Sequence, residues 1–306
     1  MKIYLNGKLV PEKGAKISVF DHGLLYGDGV FEGIRAYNGR VFMLEAHIDR
    51  LFRSAHAIVL KVPMTKAALL RAVVATCKAN HIVNGYIRLV VTRGKGTLGL
   101  NPYSCRKPQV IIIADAIQLY ARELYDQGLR VVTAGSLRNH SESLSPCIKS
   151  LNYLNNIMAK VEAINAGVEE VVMLNPQGNV AEASGDNIFI FKGNQLLTPP
   201  ISAGALEGIT REVVIDLARQ RGYDVSEITL TRYDLYTADE MFLTGTAAEI
   251  IAVVDMDRRI IGTGKPGRRT LDLTAGYREL ASRTGTPLSE ENPRIKFQGI
   301  KINKAN

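Results

Sequence analysis

Cysteine is scarce in this chain, with three in 306 residues, and Cys77, Cys105 and Cys147 show no C-x-x-C spacing. The odd count and the wide separations exclude a disulfide scaffold and a zinc ribbon, and they fit a reducing, cytoplasmic setting. No apolar run approaches the roughly 18 residues of a membrane span. The N-terminal MKIYLNGKLV alternates like a strand and lacks the apolar core of a secretory leader. His22, His47, His56, His81 and His140 form no ligand cluster, so no metal is expected. Internal repeats and low-complexity tracts are also lacking. The Asn139-His-Ser141 match to a glycosylation acceptor is then a chance one.

What is present describes a large globular chain. It is 46% hydrophobic and 22% charged, enough to bury a sizeable core, and its length suggests about two domains. The net charge is +8. The basic residues are dispersed, however. The densest groups, Arg258-Arg259 and Lys265 to Arg269, sit in a Gly/Pro-rich loop without aromatic side chains to stack on bases. A nucleic-acid partner is not expected; a basic surface that draws anionic metabolites is.

Residues 1–36 read as strands and turns, and Tyr37-Asn38-Gly39-Arg40 as a hairpin. Helices follow near 45–59, with Ile48, Leu51, Ala55 and Ile58 at helical spacing, and near 65–80. Strands are expected over 86–92 and 110–114, a connector with a short helix over 115–129, and a strand over 129–134. A helix over 151–166 places Leu154, Ile157, Val161 and Ile164 inside and ends at Gly167. Strands over 170–174 and 187–191, a helix over 210–221 and another near 269–283 complete the core. Strands and helices mix without strict βαβ alternation, which predicts an α+β (mixed α/β) fold. Gly94-Lys-Gly96-Thr-Leu-Gly99 matches a dinucleotide fingerprint in letters only. Asn101-Pro102 breaks the chain where the helix should open, so a glycine-rich loop is expected instead.

One residue stands apart. Lys149, in SPCIKSLNYLNN, is the only lysine between Lys107 and Lys160. A lysine stripped of water gives up its proton more readily, and the neutral amine attacks carbonyls. A lone lysine is usually a solvated surface group, so this one needs corroboration. EASGDNIF (182–189), LLT (196–198) and LEGITR (206–211) supply it. Together they resemble, element by element, the signature of the fold-type IV pyridoxal-phosphate aminotransferases. YGDGVFEGIRAYNGR (26–40), HIDRLFRSA (47–55), YIR (86–88), CIKSLNYLNN (147–156) and FLTGTAAEI (242–250) are similar to segments of the branched-chain amino-acid aminotransferases, in the same order.

The resemblance implies roles. Lys149 would form the Schiff base with pyridoxal 5'-phosphate and then move the α-proton. Glu182 would face the pyridine nitrogen, Tyr153 the ring hydroxyl, and Leu196 would pack near the ring. Arg50, Gly208, Ile209 and Thr210, with Thr210 as a helix cap, would hold the phosphate together with Gly245 and Thr246. Tyr26, Phe31, Gly33, Arg35, Tyr86, Arg88, Thr246 and Ala247 would form the substrate pocket, with Tyr120 covering it. Arg88 is the expected partner of a γ-carboxylate. The implied layout is a small N-terminal α+β domain (1–117), a connector (118–129) and a larger C-terminal cofactor-binding pseudo-barrel domain (130–306). The implied assembly is a homodimer or a set of dimers acting on amino acids and 2-oxo acids. D-amino-acid transaminases, (R)-amine transaminases and aminodeoxychorismate lyases share the fold and remain alternatives.

Overall fold

The computed structural model describes residues 1–116 and 120–289. The end of the expected first domain, at 117, and the first two residues of the expected connector lie outside the described residues. The chain opens with a hairpin of β1 (Lys2–Leu5) and β2 (Lys8–Pro11). A short helix, α1 (His22–Tyr26), interrupts a stretch expected to hold only strands and turns; the Asp21 carboxylate caps it by accepting from the Gly23 N–H at 2.8 Å. β3 (Gly29–Tyr37) and β4 (Arg40–Val41) form the expected hairpin. Its loop residues both take positive φ, 48° at Asn38 and 74° at Gly39, as a two-residue turn matched to the strand twist requires.

Two helices, α2 (Leu44–Ala57) and α3 (Lys66–Ala79), then cover a sheet completed by β5 (Gly85–Thr92) and β6 (Gln109–Asp115). These six strands run in the order β4-β3-β5-β6-β1-β2. Their core joins Val30, Ile34, Ile87 and Leu89 to Ile48 and Leu51 of α2 and Leu69 and Val73 of α3. Each such side chain contributes about 1.5–3 kcal/mol on burial. α2 carries a second buried stripe, and it is polar: His47, Arg50 and Ser54.

The second half continues through α4 (Arg122–Gln127), β7 (Leu129–Thr133), α5 (Leu154–Ala166), β8 (Glu170–Leu174), β9 (Val180–Ala183), β10 (Asn187–Lys192) and β11 (Gln195–Thr198). It closes with α6 (Ile209–Gln220), β12 (Asp224–Glu227), α7 (Arg232–Tyr236), β13 (Glu240–Gly245), β14 (Glu249–Met256), β15 (Arg259–Ile260), α8 (Arg268–Arg283) and β16 (Thr286–Pro287). The second sheet runs β12-β11-β10-β13-β14-β7-β8-β9, with β15 beside β14. Three of its pairings are parallel and the others antiparallel, which fits the mixed fold class. β8 and β9 are buried at every position, so neither alternates, and each buries one glutamate among its apolar residues, Glu170 and Glu182. β16 leaves this half and pairs with β4, returning the chain to the first sheet.

α5 forms where expected and ends at Gly167 in the left-handed conformation, but its faces are reversed. Leu154, Ile157, Val161 and Ile164, expected inside, are 68%, 54%, 39% and 67% exposed. The buried face is made by Asn156, Ala159 and Ala163. Small residues let this helix lie close over β7 and β8, and Asn156 meets a polar group beneath, donating to the Ser184 carbonyl at 2.7 Å; the periodic apolar residues stay largely uncovered among the described residues.

Candidate active site

A cavity of about 280 Å³ lies where the two sheets meet, and it is lined from both. Lys149 enters it from a segment clamped by the first sheet. The Phe31 N–H donates to the Lys149 carbonyl at 3.0 Å, and the Leu151 N–H to that of Gly29 at 2.9 Å. The Lys149 N–H donates to Ser54 Oγ at 3.1 Å. With its backbone so held, the amine is aimed: Nζ donates to Tyr153 Oη at 3.1 Å and sits 4.7 Å from the centre of the Phe31 ring. Among the described residues no carboxylate pairs with it.

Arg50 stands on the polar stripe of α2. Its Nε and Nη2 donate to the two oxygens of Glu32 at 2.7 and 2.8 Å, and Nη1 donates to the Glu207 carbonyl at 2.7 Å. His47 Nδ1 lies 2.8 Å from the same carboxylate. Burial opposes charge on Glu32, but Arg50 and His47 outweigh it and hold the carboxyl down at about 2. Arg50 is thus fixed from behind by Glu32 and tied across the cavity to the residue that precedes Gly208. There α6 begins. Gly208, not Thr210, is the helix cap, and among the described residues no side chain caps the first-turn N–H groups. Thr210 lies one residue inside the helix and is buried. An uncapped helix N-terminus beside a guanidinium is a site for a multiply charged anion.

Elsewhere in the same cavity, Glu182 of β9 is buried against Arg138, whose Nε and Nη2 lie 2.9 and 2.8 Å from Oε1. The Leu206 N–H donates to Oε2 at 2.9 Å. Asn155 and Asn156 of α5 hold the far side of Arg138 at 3.0 and 3.2 Å. Burial pushes the Glu182 carboxyl above its ordinary range; Arg138 and the Leu206 N–H oppose it. A carboxyl poised in this way suits a partner that shares a proton, such as a ring nitrogen.

Strand alternation builds the remaining wall. Gly33 pairs with Arg88, Arg35 with Tyr86 and Phe31 with Val90, so Phe31, Gly33, Arg35, Tyr86 and Arg88 share one face of the first sheet. Tyr86 crosses over Gly33, where any Cβ would collide with its hydroxyl. Arg88 stacks on Phe31 at 4.7 Å and donates to Tyr86 Oη at 3.2 Å. Arg35 instead reaches behind the β13–β14 turn, donating to the Ala247 carbonyl at 3.0 Å and pairing with Glu249 at 3.3 Å.

Gly33, Arg50, Tyr86, Tyr120, Lys149, Glu182, Gly208, Ile209, Thr210, Gly245, Thr246 and Ala247 all line this one cavity. Phe31, Tyr153 and Arg88 touch its lining residues. Three further expected residues do not line it: Arg35, held behind the β13–β14 turn, Leu196 and Tyr26. Leu196 packs in the core with Phe189, Phe191 and Val214, and Leu206 lines the cavity instead. Tyr26 is partly exposed on α1, accepting from the Gly99 N–H at 3.0 Å. Glu32 and Arg138 were not foreseen. Glu32 did leave a signal, since it shares strand phase with Val30 and Ile34, and a carboxylate on an apolar face needs a buried cation. Arg138 left none; it sits in an irregular segment whose path the sequence does not specify.

The mixed two-sheet fold and a lysine set between an anion seat and a buried carboxyl define a group-transfer enzyme of one class. Residues 29–256 match the class IV amino-transferase model, and the chain belongs to that family. A branched-chain-amino-acid aminotransferase of Pseudomonas aeruginosa is 40% identical over 286 residues, 92% of each chain. A D-alanine aminotransferase of Bacillus licheniformis is 35% identical over 285 residues, 93% of this chain and 99% of that relative. Among solved structures, the branched-chain aminotransferase of the thermophilic archaeon Thermoproteus uzoniensis with norvaline is 42% identical with a TM-score of 0.87, covering 92% of this chain and 95% of that one.

Proposed function

We propose that the chain is a branched-chain L-amino-acid aminotransferase. It moves the amino group of leucine, isoleucine or valine to 2-oxoglutarate, reversibly and in two half-reactions, with pyridoxal 5'-phosphate as cofactor. The observation that carries this reading is the joint placement of Lys149, Glu182 and the Arg50–α6 anion seat around one cavity lined by Tyr86, with Phe31 packed against Lys149. The residues present fit such a cofactor. The first-turn N–H groups of α6 lack a side-chain cap, and Thr244 Oγ1, in the cavity lining, is buried without a partner. Arg50, Gly208, Ile209, Thr210, Gly245 and Thr246 would hold its phosphate, Glu182 its ring nitrogen, Tyr153 its ring hydroxyl and Lys149 its aldehyde carbon; Leu206 takes the packing role expected of Leu196. When bound, the cofactor supplies an electron sink for the bond broken at the substrate α-carbon.

The remaining work falls to the protein. Lys149 Nζ carries the proton to and from the α-carbon, with Tyr153 Oη setting its direction. The Phe31 and Tyr86 rings exclude water and accept an apolar side chain. Arg88, stacked on Phe31, stays out of contact with leucine and turns to meet the γ-carboxylate of glutamate. Tyr120 closes the same wall. Tyr26 and Arg35 act from outside the cavity, Arg35 by bracing the Ala247 turn. The uncovered apolar face of α5 supports a homodimer or an assembly of dimers. The unpaired thiols suit a cytoplasmic location. The division proposed is a substrate-side domain (1–117), a connector (118–129) and a cofactor-side domain (130–306), although Leu288 packs in the first core and Phe42 in the second half's.

The kinship with a D-alanine enzyme makes handedness the point to test. L- and D-leucine are each supplied with 2-oxoglutarate and glutamate formation is followed. Turnover of the L-donor is expected; turnover of the D-donor alone sinks the reading in favour of a D-amino-acid transaminase.

A further inference from the structure

One part of the cavity carries three charged side chains that the amino-transfer reading leaves unused: Lys160 of α5, Glu170 at the start of β8 and Asp186 in the turn before β10. Two of them are settled. Lys160 Nζ donates to the Glu169 carbonyl at 2.5 Å and lies 3.4 Å from Glu170 Oε2. Glu170 Oε1 accepts from the Val171 and Ser184 N–H groups at 2.8 and 3.2 Å. Asp186 is different. It is only 7% exposed, and among the described residues its carboxyl accepts no hydrogen bond and makes no ion pair. Its Oδ1 packs directly on Gly245, where a Cβ would collide with it. Gly245 leads into the Thr246-Ala247 turn, which lines the same cavity.

A carboxyl that opens only onto a cavity and lacks a hydrogen-bond partner favours its protonated form, and it then offers an O–H donor to any ligand that brings an acceptor. The surroundings reinforce this. Burial and then Glu170 push Asp186 up to about 7; Glu182 adds to the rise, while Lys160 and Lys149 oppose it. The Tyr120 and Tyr125 phenols face it from the connector side.

We propose that Asp186 is a specificity-determining acid. In its protonated form it donates a hydrogen bond to the carboxylate of the amino or 2-oxo acid seated at the Gly245–Ala247 turn. The inference rests on the amino-acid substrate class proposed above. Because the ligand meets the protonated acid, binding takes up a proton once the pH exceeds the value at which the free site ionises. Affinity for carboxylates then declines by up to about tenfold per pH unit on the alkaline side.

The test is calorimetric and needs no turnover. The holoenzyme is titrated with 4-methylvaleric acid, a branched carboxylate without an amino group, from pH 6 to pH 9 in paired buffers of different ionisation heat. The wild-type protein is expected to take up a proton on binding and to lose affinity on the alkaline side. Asp186→Asn keeps a donor and is expected to bind with no proton uptake from this site and a flatter pH profile. Asp186→Leu, with no donor, is expected to bind more weakly than Asp186→Asn at every pH and to show no alkaline decline from this site. Equal proton uptake and equal pH dependence in the wild type and Asp186→Asn overturn the assignment of Asp186 alone. Failure of the wild-type holoenzyme to bind the acid at all overturns the amino-acid reading with it.

Discussion

Glu32 and Asp186 are two buried carboxyls that serve one cavity, and they hold their protons in opposite ways. Glu32 lies beneath the anion seat and is held at about 2 by Arg50 and His47 despite full burial. Asp186, nearly as hidden, accepts no hydrogen bond at its carboxyl among the described residues and is pushed up to about 7. Burial weakens the charged form of both; partners decide the outcome. The first carboxyl therefore belongs to the framework, because its charge positions Arg50 whether or not a ligand is present. The second keeps hydrogen-bonding capacity in reserve for a ligand. Buried charge at a site does not by itself reveal which kind a residue is, whereas its hydrogen-bond partners do.

The strongest way to break this contrast is Glu32→Gln. Removing one member of a buried charged network leaves Arg50 and His47 uncompensated, and a loss of about 3–5 kcal/mol in denaturant unfolding is expected; a loss near zero would show that Glu32 is no framework residue. Asp186→Asn tests the other half. A raised carboxyl contributes stability below its unfolded value of 3.8 and loses it as pH rises through about 7. The cofactor-free wild type should therefore weaken across that window by about 4 kcal/mol, and the variant should not. The acid limb gives a smaller effect of opposite sense. Glu32 contributes stability above its ordinary 4.5, lost as pH falls through about 2. About 3 kcal/mol should disappear there in the wild type and be absent from Glu32→Gln. The smallest effect marks a control outside the cavity: Ile164→Ser, on the exposed face of α5, should alter protomer stability by no more than about 0.5 kcal/mol. If that face seats a second copy, light scattering will nonetheless show a smaller assembly.

Much of the fold was legible because hydrophobic period and turn chemistry agreed along the chain. The Asn38-Gly39 hairpin, α2, α3 and β5 to β7 lie where the pattern placed them. α5 shows the limit. Its leucine and isoleucine spacing was helical and correctly marked a helix, but periodicity identifies an apolar face without saying what covers it. At the site, Lys149, Glu182, Arg50, Gly208, Ile209, Thr210 and the Gly245–Ala247 turn converge on one cavity from distant parts of the chain. Thr210 missed its capping role because Gly208 holds the cap position. Leu196 was placed by motif order, whereas strand phase turns it into the core and leaves Leu206 at the cavity. Arg138 and Asp186 act only through the neighbours that folding brings to them, and neither neighbourhood is local in sequence.

The central claim is that Lys149 and its two anchoring groups form an amine-transferring centre that works in halves. L-Leucine added to the holoenzyme without any oxo-acid acceptor tests it most directly, with the 2-oxo acid quantified per active site. A single stoichiometric release, regenerated by 2-oxoglutarate and absent in Lys149→Ala, is the result expected. Continuous turnover without an acceptor, or an undiminished release from Lys149→Ala, would contradict it.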